Sequence, residues 1–267
     1  MEFCEGHQVD DVEALKQSGI DGHKVVDMLG KLYSEMIFTR GFMHCDPHPG
    51  NLLVQKNPKT DKVKLVLLDH GLYQQLNEQF RIDYCRLWLA LISGDQVAIQ
   101  KASQAMGTGD QAELFACMVS GRSWESVNSG KMALQQRTLH EESQIQNTAA
   151  QVVPQMTGVL DRVPRQLLLV LKTNDLIRSI QTKLGYPSDL SAFMQQSKAC
   201  FWALAYYNFK RVDQSNISMF GKCYKYAKTA LSLLYRLFQI QIVELSFMIV
   251  PLFHKEPDNI VRYIKPN

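Results

Sequence analysis

The chain lacks paired cysteines, strong charge and any long uninterrupted apolar run, and each absence narrows the field. Its six cysteines (Cys4, Cys45, Cys85, Cys117, Cys200 and Cys223) are scattered, with no Cys-x-x-Cys pair. That spacing fits reduced intracellular thiols and argues against a disulfide framework or a zinc ribbon. A net charge of +3, without a block of Lys or Arg, gives no basis for a nucleic-acid partner. The most apolar region, Thr229 to Phe253, is interrupted by Arg236, Gln239, Gln241 and Glu244. A spanning helix needs about 20 nearly unbroken apolar residues, so this segment reads as a buried or interfacial helix. Met1-Glu2-Phe3-Cys4-Glu5-Gly6 is acidic and poor in apolar residues, unlike a secretory signal or a mitochondrial presequence. No internal repeat or low-complexity tract is present. The 267 residues suffice for one large domain or two small ones.

What is present is concentrated between Gly41 and Gly71. The string His44-Cys45-Asp46-Pro47-His48-Pro49-Gly50-Asn51 has the H-x-D-x-x-x-x-N spacing of a phosphotransfer catalytic loop. Asp69-His70-Gly71 follows an apolar strand, where a metal-binding D-x-G belongs. Phosphoryl transfer needs this inventory: an acid to position the attacking hydroxyl or water, and an amide oxygen and a carboxylate to hold Mg²⁺ against ATP. Two other readings use the same residues. Asp-Pro-His-Pro-Gly-Asn is also ordinary turn chemistry, although a turn alone does not require the matching Asp69. His44, Asp46 and His48 could share one face of a strand as zinc or manganese ligands, but Pro47 and Pro49 argue against a regular strand there.

The rest of the pattern is mainly helical. Asp21 is placed to cap a helix running to about Arg40, with Val25, Met28, Leu29, Leu32, Met36 and Ile37 at helical spacing, and Gly41 ends it. Leu52 to Val54 and Val63 to Leu68 read as two short strands joined through residues 57–61, the only convincing strands in the chain. A helix follows from Asn77, carrying Phe80, Tyr84, Leu87, Trp88 and Leu91 on one stripe. Shorter helices are expected around Gln96 to Met106 and Gln111 to Val119, and Ser120 to Gln146 reads as loop-rich. Pro164 opens a helix from Arg165 to Leu184 whose stretch from Leu167 to Leu171 should be buried. Gly185-Tyr186-Pro187 breaks it, and two or three further helices complete the chain. The fold class expected is mainly α with a small β-hairpin carrying the site.

Only a few residues separate Gly71 from the helix at Asn77, and no Ala-Pro-Glu-like element follows. A protein kinase needs a long activation segment there as a platform for polypeptide. Cys45 also replaces the Arg that commonly answers activation-loop phosphorylation. Both features point to a small-molecule or lipid substrate, or to ATP hydrolysis.

Met1-Glu2-Phe3-x-x-Gly6, the His44 to Asn51 loop and Leu68-Asp69-His70-Gly71-Leu72 together resemble the UbiB/AarF-domain atypical kinases. Ser123-Trp124 and the run from Val163-Pro164-Arg165-Gln166 to Lys172-Thr173-Asn174-Asp175-Leu176 are most similar to an animal mitochondrial branch of that family. The resemblance covers roughly residues 1 to 210. It implies a protein-kinase-like C-terminal lobe over 1–210, with a helical extension over 211–267. It also implies that Asp46 is the catalytic acid, that Asn51 and Asp69 are the Mg²⁺ ligands, and that His48 stands where protein kinases carry a γ-phosphate lysine. Glu2, Phe3 and Cys4 fall on the hinge that meets adenine; read without the family, they are an ordinary extended linker. The cofactors implied are ATP and Mg²⁺, and the setting implied is mitochondrial lipid or quinone homeostasis.

The resemblance starts at the hinge, so the N-lobe, with its Lys-x-Gly-Gln motif, Ala-rich loop and phosphate-gripping Lys, is expected to be absent from this chain. Any targeting segment then lies upstream of Met1, and the chain is expected to be a partial product or half of a split arrangement, inactive alone. Whether it is an enzyme stays open on that account. The alternatives are an aminoglycoside/choline-kinase-like small-molecule kinase and a non-catalytic helical scaffold or pseudokinase. One further feature is the run Tyr206, Tyr207, Phe209, Lys210, Arg211, Phe220, Lys222, Tyr224, Lys225, Tyr226 and Lys228. Basic residues among aromatics suit a lipid or membrane surface. The reading favoured on sequence is a solvated helix whose aromatics face the core.

Overall fold

The structure, a computed structural model, describes residues 3–129, 157–186 and 190–253. Glu2, residues 130–146 of the expected loop-rich stretch, Pro187 and residues 254–267 lie outside these.

The chain enters through a short strand, β1 (His7–Gln8), and a short helix, α1 (Val12–Gln17). Asp21 then caps α2 (Gly22–Ser34) by accepting the His23 N–H at 2.9 Å. Of the expected stripe, Val25, Leu29 and Ile37 are buried and Met28, Leu32 and Met36 partly so, while Val26 and Tyr33 join the buried side. The helix does run to Arg40, but its last stretch, Glu35–Arg40, widens into a π-helix that Gly41 closes at φ +64°. Two carbonyls at this end, those of Phe38 and Thr39, accept from the Arg81 guanidinium.

Strands are more numerous than expected. The hairpin is present as β3 (Leu52–Lys56) and β4 (Val63–Leu67), with Leu52 opposite Leu67. β1 adds to β3 on its other side, giving the order β1-β3-β4. Gly6 leads into it, and a Cβ there would sit 2.9 Å from the Val54 carbonyl oxygen, so the close approach of this strand needs glycine. A second antiparallel pair joins β2 (Phe42–His44) to β5 (Tyr73–Gln75). β1, β2 and β5 are two or three residues long, too short to show alternation, so periodicity could not reveal them.

Asn77 caps α3 (Glu78–Ser93), and α4 (Gln96–Ala105) and α5 (Ala112–Ser120) follow as expected. A short helix, α6 (Trp124–Asn128), capped by Ser123, occupies the start of the stretch expected to be loop. The later helices are α7 (Arg165–Lys183), α8 (Leu190–Asp213) and α9 (Met219–Phe253). α8 therefore continues through position 210 without a break.

Two apolar cores form. One gathers α3 to α6 around Tyr84, Leu87, Leu91 and Phe115; the other gathers α1, α2 and the hairpin around Leu15, Leu29, Leu52 and Val54. α7 serves both, giving Leu167 and Val170 to the first and Ile177 and Ile180 to the second. Leu167 is fully buried, whereas Leu168, Leu169 and Leu171 are only partly covered.

Of the two readings of α9, buried or interfacial, burial fails, because Leu231, Leu234, Tyr235, Phe238 and Ile242 stand exposed. The aromatics do not all face the core either: Tyr206, Phe220 and Tyr224 point to solvent. The physical reason is that α9 packs on α8 through Leu233 and Ile240, which lie on its other side. No helix among the described residues is long and apolar enough to cross a membrane.

Candidate active site

The site is assembled where β2 ends and the hairpin begins. After His44 the chain turns through Cys45, whose N–H donates to the Leu72 carbonyl at 3.0 Å. Pro49–Asn51 forms a single 3₁₀ turn, capped by His48 Nδ1 accepting the Gly50 N–H at 3.1 Å. Turn chemistry therefore is part of the answer, and it delivers Asn51 to the first rung of the hairpin.

The Asn51 carbonyl accepts the Leu68 N–H at 2.9 Å, one rung beyond the Leu52–Leu67 pair. Asp69 is the next residue, so hairpin register alone carries Asn51 and Asp69 to the same end of the sheet. The Asn51 side chain turns to Asp46, its Nδ2 donating to the Asp46 carbonyl and to Oδ2, both at 3.2 Å. Asp69 Oδ1 accepts the Gly71 N–H at 2.8 Å. Asn51 thus touches Asp46, and Asp69 follows the residue that pairs with Asn51 at the end of the hairpin.

His44 is the tether between the two loops. It is 1% exposed, and its Nε2 donates to the Asp69 main-chain carbonyl at 2.8 Å. Its Nδ1 is therefore the acceptor, facing the Tyr33 hydroxyl of α2 at 3.4 Å. Burial pushes the Tyr33 phenol well above its ordinary range, with smaller pushes from Tyr73, Cys45 and Asp46, so it stays a proton donor. Tyr73, opposite His44 in the β2–β5 ladder, sets its ring edge-on at 5.2 Å and bonds His70 Nδ1 at 2.8 Å. With both His44 nitrogens committed, the reading of His44, Asp46 and His48 as zinc or manganese ligands fails. Among the described residues no group of three His, Cys, Asp or Glu is placed to hold a metal ion.

The donor set suits a different cation. Asn51 spends its amide nitrogen on Asp46 and keeps Oδ1, while Asp69 spends Oδ1 on Gly71 and keeps Oδ2. An amide oxygen and a carboxylate oxygen are the donor types that Mg²⁺ takes when it is held with a nucleotide.

Lys172 of α7 was not singled out by the sequence as a site residue. Its ammonium lies 3.5 Å from Asp46 Oδ1, across 126 residues of chain. Only its place at the end of the apolar run Leu167 to Leu171 hinted that it leaves the core at a chosen point. Cys45 is buried and donates its thiol to the Met43 carbonyl at 3.5 Å. Burial is the main cause that raises its pKa, against a smaller opposing pull from Lys172, which leaves a poor nucleophile. Of the residues expected at a hinge, Phe3 projects into solvent and Cys4 is half-buried, on the segment leading into β1.

Residues 1–103, which hold every one of these groups except Lys172, match the ABC1 atypical kinase-like domain. The chain is 47% identical over 92% of its length to AarF domain-containing protein kinase 1 of Xenopus laevis, covering 46% of that protein. It is 52% identical over 78% of its length to the Gallus gallus protein of the same name, covering 40% of it.

The first 103 residues match the ABC1 atypical kinase-like domain, and the chain is similar to AarF-domain kinases over most of its length.

A putative member from Arabidopsis thaliana, named for the ABC1 group, is still 38% identical over 73% of the chain. The chain spans less than half the length of these AarF-domain relatives. The matches reach well past residue 103, so the AarF likeness takes in α7 and Lys172 as well as the catalytic-type loop. The mainly helical body with its small antiparallel sheets is consistent with the kinase-like fold of the family.

Proposed function

We propose that this chain is the C-lobe of an AarF-type phosphotransferase or ATPase that uses ATP and Mg²⁺, with residues 1–210 as the lobe and 211–267 as a helical extension. The observation that carries the reading is the shared end of the hairpin, where Asn51 and Asp69 lie together and the Asn51 amide grips Asp46. Mg²⁺, when bound, neutralises phosphate charge and fixes the terminal phosphate for in-line attack. Asn51 and Asp69 would hold it through their free side-chain oxygens. Asp46, steadied by Asn51, orients the attacking hydroxyl or water and takes its proton. Lys172 places a positive charge beside Asp46, where phosphate charge gathers in the reaction. His48 keeps Nε2 for a phosphate oxygen, since Nδ1 is used in the turn. Glu2, Phe3 and Cys4 supply the hinge against adenine.

Four residues separate Leu72 from Asn77, and three of them are β5. That leaves no platform for a polypeptide, so the acceptor is a small molecule or lipid, or water. The setting we favour is mitochondrial lipid or quinone chemistry, by family likeness. These 267 residues contain no Lys-x-Gly-Gln motif, so the chain by itself should bind nucleotide weakly and turn it over slowly.

The test is titration of a fluorescent ATP analogue into the purified chain with and without Mg²⁺. Binding should require Mg²⁺ and weaken at least about tenfold in Asp69→Ala, a cost on the scale of one lost charged ligand. Mg²⁺-independent binding, unchanged in Asp69→Ala, would remove the kinase reading and favour a non-catalytic scaffold.

A further inference from the structure

α9 carries apolar residues on two sides, and only one of them is covered. Leu233 and Ile240 are buried against α8, and Tyr226 stacks on Phe209 of that helix at 5.5 Å. Tyr224, Leu231, Leu234, Tyr235, Phe238 and Ile242 are each 50–69% exposed. At 3.6 residues per turn these six fall within an arc of about 100°, on the side away from Leu233 and Ile240. Phe220, 91% exposed, begins the stripe. An apolar band this long and continuous is not the scatter of single residues that ordinary surfaces carry.

The charge on the same helix has one sign. Between Asp213 and Glu244 the chain contains Lys222, Lys225, Lys228 and Arg236 and no Asp or Glu. Lys228 lies next to the stripe, and it and Arg236 line a groove of about 860 Å³ against α3, α4 and α8. Lys101, Arg86, Asp83 and Asp95 also line the groove, with Arg86 paired to Asp83 at 2.7 Å, and the Arg236 guanidinium rests 5.4 Å over the Phe201 ring.

We propose that the exposed face of α9 docks in the plane of a bilayer surface rich in anionic phospholipid. The stripe enters the acyl boundary, the tyrosines sit at headgroup level, and Lys228 at the stripe's edge, with Lys225 reaching round from the flank, meets lipid phosphates. A second copy of this chain is a poor occupant: two such stripes brought together would juxtapose their lysines and find no carboxylate in the segment to pair them. The helix lies on the membrane and does not span it, in keeping with its interrupted apolar sequence. This docking face is independent of the phosphotransfer reading, since none of its residues belongs to the Asp46–Asn51–Asp69 site.

The experiment is flotation of the 267-residue chain with phosphatidylcholine vesicles, with and without phosphatidylglycerol. Binding should appear with the anionic vesicles and fall at least about tenfold in the triple variant Leu231→Ser, Leu234→Ser, Phe238→Ser. Those side chains are exposed, so circular dichroism should report unchanged helix content. A second variant, Lys225→Glu with Lys228→Glu, keeps the apolar stripe and should lose binding by at least about tenfold as well. No binding to anionic vesicles, or equal binding to neutral ones, would overturn the proposal. So would a dimer in sedimentation that the triple variant converts to monomer, because a second copy would then own the face.

Discussion

At the scale of single residues, the arrangement turns on His44 more than on the three polar groups the sequence displays. Asp69 is exposed and owes its position to its neighbours, whereas His44 is sealed between Tyr33 and the Asp69 carbonyl. Replacing it with Phe keeps the volume and strands both partners. The variant should lose about 1–3 kcal/mol of stability in urea unfolding, the cost of buried groups left unpaired. His48→Ala, which removes one exposed turn cap, should cost less, about 0.5–1 kcal/mol in the same measurement. Equal losses in the two would mean that His44 fills space without tethering anything. Asp46, Asn51 and Asp69 were legible in the sequence because the chemistry requires fixed residue types at fixed spacing. Lys172 and Tyr33 were not, because their partners are set by how α7 and α2 pack and no local pattern encodes that.

At the scale of elements, the helices with a capping residue and an apolar stripe were readable to within a residue or two. Asp21, Asn77 and Pro164 mark starts that the structure keeps. The π-helical end of α2 was not readable, since a change from i→i+4 to i→i+5 bonding leaves no mark on residue type. It is instead accompanied by Arg81, which reaches from α3 to the Phe38 and Thr39 carbonyls. Arg81→Met should therefore loosen that junction, lowering the urea midpoint by an amount worth about 1 kcal/mol. An unchanged midpoint would show that water serves those carbonyls equally well. The faces of α9 mark the other limit of sequence reading: periodicity finds an apolar stripe, but which stripe has a partner is a property of the fold.

At the scale of the whole molecule, each core keeps a buried phenol. Tyr33 lies in the core built on α2, and Tyr84 in the core built on α3, where the Asn174 amide donates to it at 3.1 Å. Burial raises both pKa values well above the ordinary one near 10. The sign follows from proton linkage. A phenol that ionises more readily in the unfolded chain contributes its stability fully below the unfolded pKa and loses it as pH rises toward the folded value. Stability should thus decline from about pH 10 upward, with tyrosinate absorbance appearing in step with unfolding. Tyr84→Phe should make that decline shallower; free titration of these phenols in the folded chain would contradict the burial argument.

α7 has a consequence for how the protein can loosen. It sets Leu167 and Val170 into one core and Ile177 and Ile180 into the other, with Lys172 leaving the helix between them toward Asp46. Because one unbroken rod is shared, neither half can melt without dragging part of the other, so local openings that would scatter the site are coupled to global ones. The catalytic-type loop gains a rigid backing from that shared spine, and motions useful for admitting substrate must come from parts the spine does not hold.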